Sequence, residues 1–374
     1  MKRLVPLILL LAAGLIVSCK SSNPTGVPPA GEAHGVDAQG NVWMNPPPSG
    51  EGLQIAVEPF AVPDSAEVQG NFYLHLPSDV PFDVGRIEIA MNQGTHHMNL
   101  YRWANLWPPD SGIPRPVIYR HLDGKIDTVQ VRYQAQFNAL IVRNNGDLMV
   151  EAQVPYLNWT FPTLPDGTQG AVHFGANDTL VIENHYVNTS NVPGGSPQIT
   201  PNGYGKVIIN LWKATGATTT ASMMFARKTN LKIPAYSDST YYKDCTVMNN
   251  ISSLRNTPVY ILGITGHYHS RGKQFWVDKM KELVDANGNT RDTILLDHLY
   301  YSPSWDEPPF TAYPTPIPVN LGQGEFIRYY AEYVNTTGNV INFGPYVATE
   351  EHMNLFMWFA PGWNNGQTIY DDQN

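Results

Sequence analysis

The sequence predicts an all-β protein of two antiparallel β-sandwich domains. Three observations point there. Thirty-one glycines and 31 prolines are spread along the 374 residues, leaving little uninterrupted length for helices, in which both residues are costly. The apolar runs are short, β-branched or aromatic, and separated by turn sequences such as Asn145-Gly146, Asp166-Gly167 and Asn287-Gly288, the pattern of sandwich strands. The chain beyond a polar N-terminal stretch runs to about 320 residues, more than the ~250–300 at which one core stops growing, so two domains are expected.

The chain starts with the pattern of a secretory signal. Lys2 and Arg3 precede the apolar run Leu4 to Val17, and Ser18 is the small residue before Cys19. The run is shorter than the ~20 residues a membrane span needs. Ile16-Val17-Ser18-Cys19 resembles a bacterial lipobox, which implies cleavage before Cys19, acylation of its thiol, and an exported protein lipid-anchored in the cell envelope, at the outer membrane where the cell has one. Residues 19–50 are rich in Pro, Gly, Ser and Asn and are expected to form a flexible tether, with the folded part starting near Glu51.

Strands are expected at Gly52 to Val57, Arg86 to Met91, Thr128 to Gln136, Leu148 to Val154, Thr179 to Val187, Lys206 to Trp212 and Ala221 to Arg227. The pattern continues at Pro258 to Gly266, Gln274 to Val284, Thr293 to His298, Glu325 to Val334 and His352 to Phe359. The polar stretch Asn188 to Gly205 is the expected junction, dividing the chain into domains over 51–200 and 201–374. A formal charge of -9 with 15% charged residues argues against a nucleic-acid partner, which would call for a basic stripe. Of two cysteines, Cys19 is assigned to acylation, so Cys245 is expected to be a buried thiol in a disulfide-free protein.

The chemistry lies in the histidines. In the strand that ends at His269, Tyr260, Leu262, Ile264 and Tyr268 share one face, and Gly263, Thr265, His267 and His269 the other. Two imidazoles side by side on a polar face are half of a metal site for copper or zinc. They are equally compatible with a surface pair at a strand end. His96 and His97 are sequence neighbours and would point to opposite faces of a regular strand, so joint ligation requires a strand end or a bulge, for which Gly94 is a suitable neighbour. In the last strand Met353, Leu355, Met357 and Phe359 form the core face, which leaves His352 on the polar side. His173 is placed as a surface or satisfied core histidine, and His34, His75, His121 and His298 are unassigned. Tyr186 and Tyr268 flank candidate ligands and are expected to serve packing first.

Four runs then carry a family resemblance. Gly94-Thr-His-His-Met-Asn-Leu-Tyr101, Leu180-Val-Ile-Glu-Asn-His-Tyr186, His267-Tyr-His-Ser-Arg-Gly272 and Thr349-Glu-Glu-His-Met-Asn-Leu-Phe356 stand in an order and spacing similar to those of the copper type II, ascorbate-dependent monooxygenases, typified by peptidylglycine α-hydroxylating and dopamine β-monooxygenase. The resemblance covers about residues 50 to 363. It implies two jelly-roll-like sandwiches facing each other across a solvent-filled cleft, with one copper on each. His96, His97 and His185 would hold the electron-supplying copper. His267, His269 and a residue of the last strand would hold the catalytic one, where O2 and substrate meet. Ascorbate would be the reductant and a C–H bond of a small or peptide-like substrate would be hydroxylated.

Three departures limit the resemblance. Ungapped alignment puts His352 at the family's methionine ligand position, with Met353 as the alternative if the strand carries a bulge. Thr265 and Phe356 replace the arginine and tyrosine with which peptidylglycine hydroxylases hold a carboxylate, so no such clamp is expected. Cys245 lacks a partner for the family's disulfide. A copper storage, delivery or adhesion lipoprotein on the same scaffold is the alternative function, and a zinc hydrolase a weaker one.

Overall fold

The structure is a computed structural model describing residues 33–63, 66–76, 80–103, 113–135, 146–176, 178–188 and 203–372. The expected signal (1–18), Cys19, the tether as far as residue 32 and most of the expected junction lie outside the described residues. Within them the protein is all-β, with several mostly antiparallel sheets forming sandwich-like domains.

The N-terminal half is a twelve-stranded sheet. Its central path includes Phe82–Met91, Tyr204–Lys213 and Gly52–Ala61, and at its far end Ala66–His75, Thr179–Asn188, Thr95–Trp103 and Gly146–Ala152 lie side by side. The inward faces meet in one hydrophobic cluster that includes Ile55, Leu74, Ile89, Leu100, Val150 and Ile182. In the C-terminal half a five-stranded sheet contains Val259–Tyr268, Met353–Ala360 and Ser222–Arg227. A four-stranded sheet packs against it with Ser237–Cys245, Glu325–Asn335, Gly272–Val284 and Thr290–Ser302. The strand Glu325–Asn335 shows why: Ile327, Tyr329, Ala331 and Tyr333 are buried, while Arg328, Tyr330, Glu332 and Val334 alternate with them on the more open side, the two-residue period of a half-buried strand.

Three features depart from the sequence expectation. Part of the segment expected as tether is strand: His34–Val36 and Val42–Met44 pair as a hairpin, and Val42 and Met44 pack on Ala56, Ala90 and Ile208. The alternation of Val42 and Met44 around Trp43 is enough to seat it on the sheet. Second, Tyr204–Lys213 lies between Gly52–Ala61 and Phe82–Met91, with Val207, Ile209 and Leu211 fully buried, so the C-terminal sheets take over from Ser222 rather than from residue 201. Third, the halves are in direct contact along an apolar seam, so that the space between them is confined to a cavity lined from both sides instead of a continuous solvent-filled cleft. Leu262, Phe356 and Trp358 belong to the N-terminal hydrophobic cluster, and the Trp358 Nε1–H donates to the Met149 carbonyl at 3.1 Å. Large apolar side chains on both faces of the seam favour its closure.

Candidate metal centre

The local backbone explains why two adjacent histidines serve one site. Gly94 has φ 94°, a conformation that L side chains rarely adopt, and it starts the strand Thr95–Trp103. That strand pairs with Thr179–Asn188 so that His185 faces His97 and Tyr186 faces Thr95, leaving His96 as the extra residue of a β-bulge. The bulge turns both imidazoles toward His185. Ring centroids are 5.4 Å apart for His96 and His97, and 5.1 Å from each to His185.

On the C-terminal side, Tyr268 is buried in the core and its OH donates to the Ser302 carbonyl, while His267 and His269 occupy the opposite face. His352 lies just before Met353–Ala360, 4.3 Å from His269 and 5.1 Å from His267 between ring centroids. Met353 is turned away, fully buried among Leu355, Met357 and Tyr268. No bulge moves it toward the histidines.

The two sets meet. His96 lies 4.7 Å from His267 and 5.2 Å from His269, and His97 lies 4.9 Å from His267. One ligand nitrogen from each of His96, His267 and His269 falls within 4.8 Å of the others. The structure thus contains a buried three-histidine group able to hold a metal ion, inside a contact cluster of six histidines.

The electrostatics fit a metal. Burial, the largest cause, holds His96, His97, His267 and His352 well below the usual imidazole range, reinforced by neighbouring imidazoles. Burial likewise depresses His269 to about 3, against the opposing hydrogen bond to the Glu350 carbonyl. All five are neutral at pH 7, the state that ligates. The outer nitrogens of His267, His269 and the neighbouring His185 are held by fixed acceptors. His269 Nδ1 donates to the Glu350 carbonyl at 3.0 Å. His185 Nε2 lies 2.7 Å from a Glu67 carboxylate oxygen. His267 Nδ1 lies 2.7 Å from Gln153 Oε1, whose amide is oriented by Nε2 donating to the Gly266 carbonyl at 2.7 Å. This is how proteins fix the tautomer and aim of metal-binding imidazoles. Meanwhile both nitrogens of His96, Nδ1 of His97 and Nε2 of His269 are buried without a hydrogen-bond partner, a costly arrangement for groups with no further role.

A cavity of about 740 Å³, open solvent at its mouth included, borders His97, His267 and His352. Phe225, Phe343 and Phe356 give it apolar walls, and Glu183, Asn99 and Arg227 polar ones. Burial raises the Glu183 carboxyl, opposed by hydrogen bonds from Asn99, Gln69 and Tyr101. Thr265 is buried beside Gln153 rather than lining this cavity.

The remaining histidines have other contacts. His173 and Asp83 pair at 2.7 Å, His121 and Asp127 at 2.9 Å, and His298 and Asp278 at 2.7 Å. His34 stacks on Tyr156, and His75 contacts Thr179. The Tyr186 OH donates to the Lys206 carbonyl. Cys245 is a buried free thiol, its pKa pushed well up by burial. Sequence reasoning missed Gln153, Glu67 and Glu183. Only Glu183 left a signal, two residues before His185 on the same strand face.

No family model matches the chain, and no curated protein matches it. Among solved structures it is similar to the VP2 protein of infectious bursal disease virus in derived T=1 particles, at 10% identity over 82% of this chain and 68% of that one, TM-score 0.17. It is also similar to the CBM22-1–CBM22-2 tandem domain of Paenibacillus barcinonensis Xyn10C, at 9% identity over 82% and 83%, TM-score 0.22. Scores this low bear on neither fold nor function.

Proposed function

We propose that the protein is a copper-dependent monooxygenase that hydroxylates a C–H bond of a small or peptide-like organic substrate, with O2 as oxidant and ascorbate as reductant. The observation that carries this reading is the cluster of neutral, aimed imidazoles with unpartnered nitrogens, set against a solvent-reached cavity. Copper held by these histidines would supply one-electron redox chemistry, for which imidazole suits both oxidation states. His96, His97, His185, His267, His269 and His352 offer enough donors for two ions, as the family resemblance leads one to expect. The two triads touch, so the donors form one contiguous cluster. Over a turnover, substrate, O2 and ascorbate become hydroxylated product, water and dehydroascorbate.

The chain's own residues have definable tasks. Gln153, Glu67 and the Glu350 carbonyl orient His267, His185 and His269. Phe225, Phe343 and Phe356 bind the substrate's apolar part and exclude water from it. Arg227 in the cavity wall is already engaged by the Asp372 carboxylate through Nε and Nη2 at 2.8 Å, so a terminal carboxylate is not the expected anchor. Acylation at Cys19, with anchoring to the cell envelope, completes the proposal; mass spectrometry of the mature N-terminal peptide tests it.

Copper-loaded full-length protein should show ascorbate-dependent O2 uptake stimulated by some members of a metabolite panel, with one atom of labelled O2 in the product. The complete burial of His96 and His269 favours a second reading, a copper storage or delivery lipoprotein. Tight copper binding with no substrate-stimulated O2 uptake would select it.

A further inference from the structure

We infer that the first metal ion bound is shared between the halves, held by His96 of the N-terminal half with His267 and His269 of the C-terminal half, and acts as a clasp across the seam. The inference is independent of the oxygenase reading. The geometry favours this set over either triad suggested by chain order. The nearest ring to His96 within the cluster is that of His267 at 4.7 Å, closer than His185 at 5.1 Å or His97 at 5.4 Å. Both His96 nitrogens and His269 Nε2 are free of hydrogen bonds. His185 lies farther from His96 than His267 does, and its Nε2 is committed to a carboxylate, Glu67, at 2.7 Å.

His267 can offer one nitrogen by exchanging a hydrogen bond. Its Nδ1–H is committed to Gln153, so its Nε2 is the ligating atom; at present Nε2 accepts from His352 Nδ1 at 3.1 Å. A metal ion takes that lone pair, and His352 is released to donate elsewhere or to join as a further ligand. Three neutral imidazoles suit copper or zinc.

The contacts that orient the imidazoles also cross the seam. Gln153 of the N-terminal half orients His267, and Glu67, which accepts from His185, also accepts from the Val347 backbone N–H of the C-terminal half at 2.9 Å. An ion whose ligands come from both sides binds only the assembled seam, so its binding free energy is added to that of the packed halves.

The test is a titration of metal-free full-length protein with Zn(II), which is redox-silent, following occupancy and the melting temperature. Wild type should take up a tightest equivalent that raises Tm. His96→Ala and His267→Ala should each lose that equivalent together with the rise, and the double variant should be no worse than either single one, since both remove the same site. His97→Ala should keep it. Circular dichroism and Tm of the metal-free variants establish that they fold, with His96→Gln as the substitute if alanine does not. Retention by His96→Ala of a tight equivalent with its Tm rise, or additive losses in the double variant, would overturn the shared site in favour of two independent ones. Because no oxygen chemistry is read, failure of the clasp and failure of the oxygenase reading are separable.

Discussion

Two buried polar centres of this protein are built to opposite rules. At the first, Glu88 is 4% exposed and is met by Arg86, by Asn210 Nδ2 at 3.1 Å, by Trp212 Nε1 at 2.6 Å and by the Tyr156 OH at 3.3 Å. Its oxygens are satisfied by the protein itself. At the second, six histidines converge, yet both nitrogens of His96, one of His97 and one of His269 are left without partners. A satisfied buried network makes a fold specific. A buried network left unsatisfied by its own chain lowers stability for the sake of a ligand.

The comparison is broken most forcefully at Glu88. Glu88→Leu leaves Asn210, Trp212 and Tyr156 donors and the Arg86 charge without their acceptor, and should cost about 3 kcal/mol in urea denaturation, while the Zn(II) titration stays as in wild type. A change in metal uptake would show that the two centres are coupled.

Gln153 comes next, because it supports the metal centre without being a ligand. Gln153→Leu removes the acceptor for His267 Nδ1 and should weaken metal binding by ~10–100-fold. Gln153→Glu restores an acceptor and should recover most of the affinity, which a purely packing role would not predict.

At His96 the sign reverses. His96→Leu replaces two unpartnered buried nitrogens with an apolar side chain and should stabilise the metal-free protein by about 1 kcal/mol, while abolishing the tightest metal equivalent. A loss of metal-free stability comparable to that of Glu88→Leu would mean that the histidines are structural after all.

What could be read from the sequence was local. Apolar alternation marks His352 to Phe359 as a strand and puts Met353 and His352 on opposite sides; the same period sets His267 and His269 on one face. Gly94 before His96 makes a bulge reasonable there, and the structure has one. What could not be read was mostly long-range. The pattern of Lys206 to Trp212 says strand without saying which sheet it joins. Glu67 and Gln153 carry no motif, because their roles depend on partners more than a hundred residues away. The Val42–Met44 hairpin is disguised by its Pro- and Gly-rich surroundings. Above all, strands on separate sheets give no local signal that their histidines meet, and the resemblance led instead to an open cleft. The seam closes because of Leu262, Phe356 and Trp358, residues that from the strand pattern alone serve equally well as the core of one half.

The smallest expected effect separates the metal centre from its surroundings by pH. Burial holds His269 at about 3, against the Glu350 hydrogen bond that raises it, whereas in the unfolded chain it titrates near ~6.5. Between these values the unfolded state binds a proton that the folded state refuses, so stability must fall as pH drops through the window. Glu351 acts in the opposite sense. Burial raises it to about 8 against backbone hydrogen bonds from Arg271 and His269, so the folded state keeps a proton that the unfolded state loses, and stability falls as pH rises from about 4.5 toward 8. The net slope of the wild-type protein mixes the two. A His269→Gln variant isolates the first: in metal-free protein, the stability difference between pH 7 and pH 5.5 should shift by about 1 kcal/mol toward less acid sensitivity. An unchanged difference would mean that His269 takes up its proton in the folded state as readily as in the unfolded one, and that the imidazoles do not remain neutral while they wait for metal.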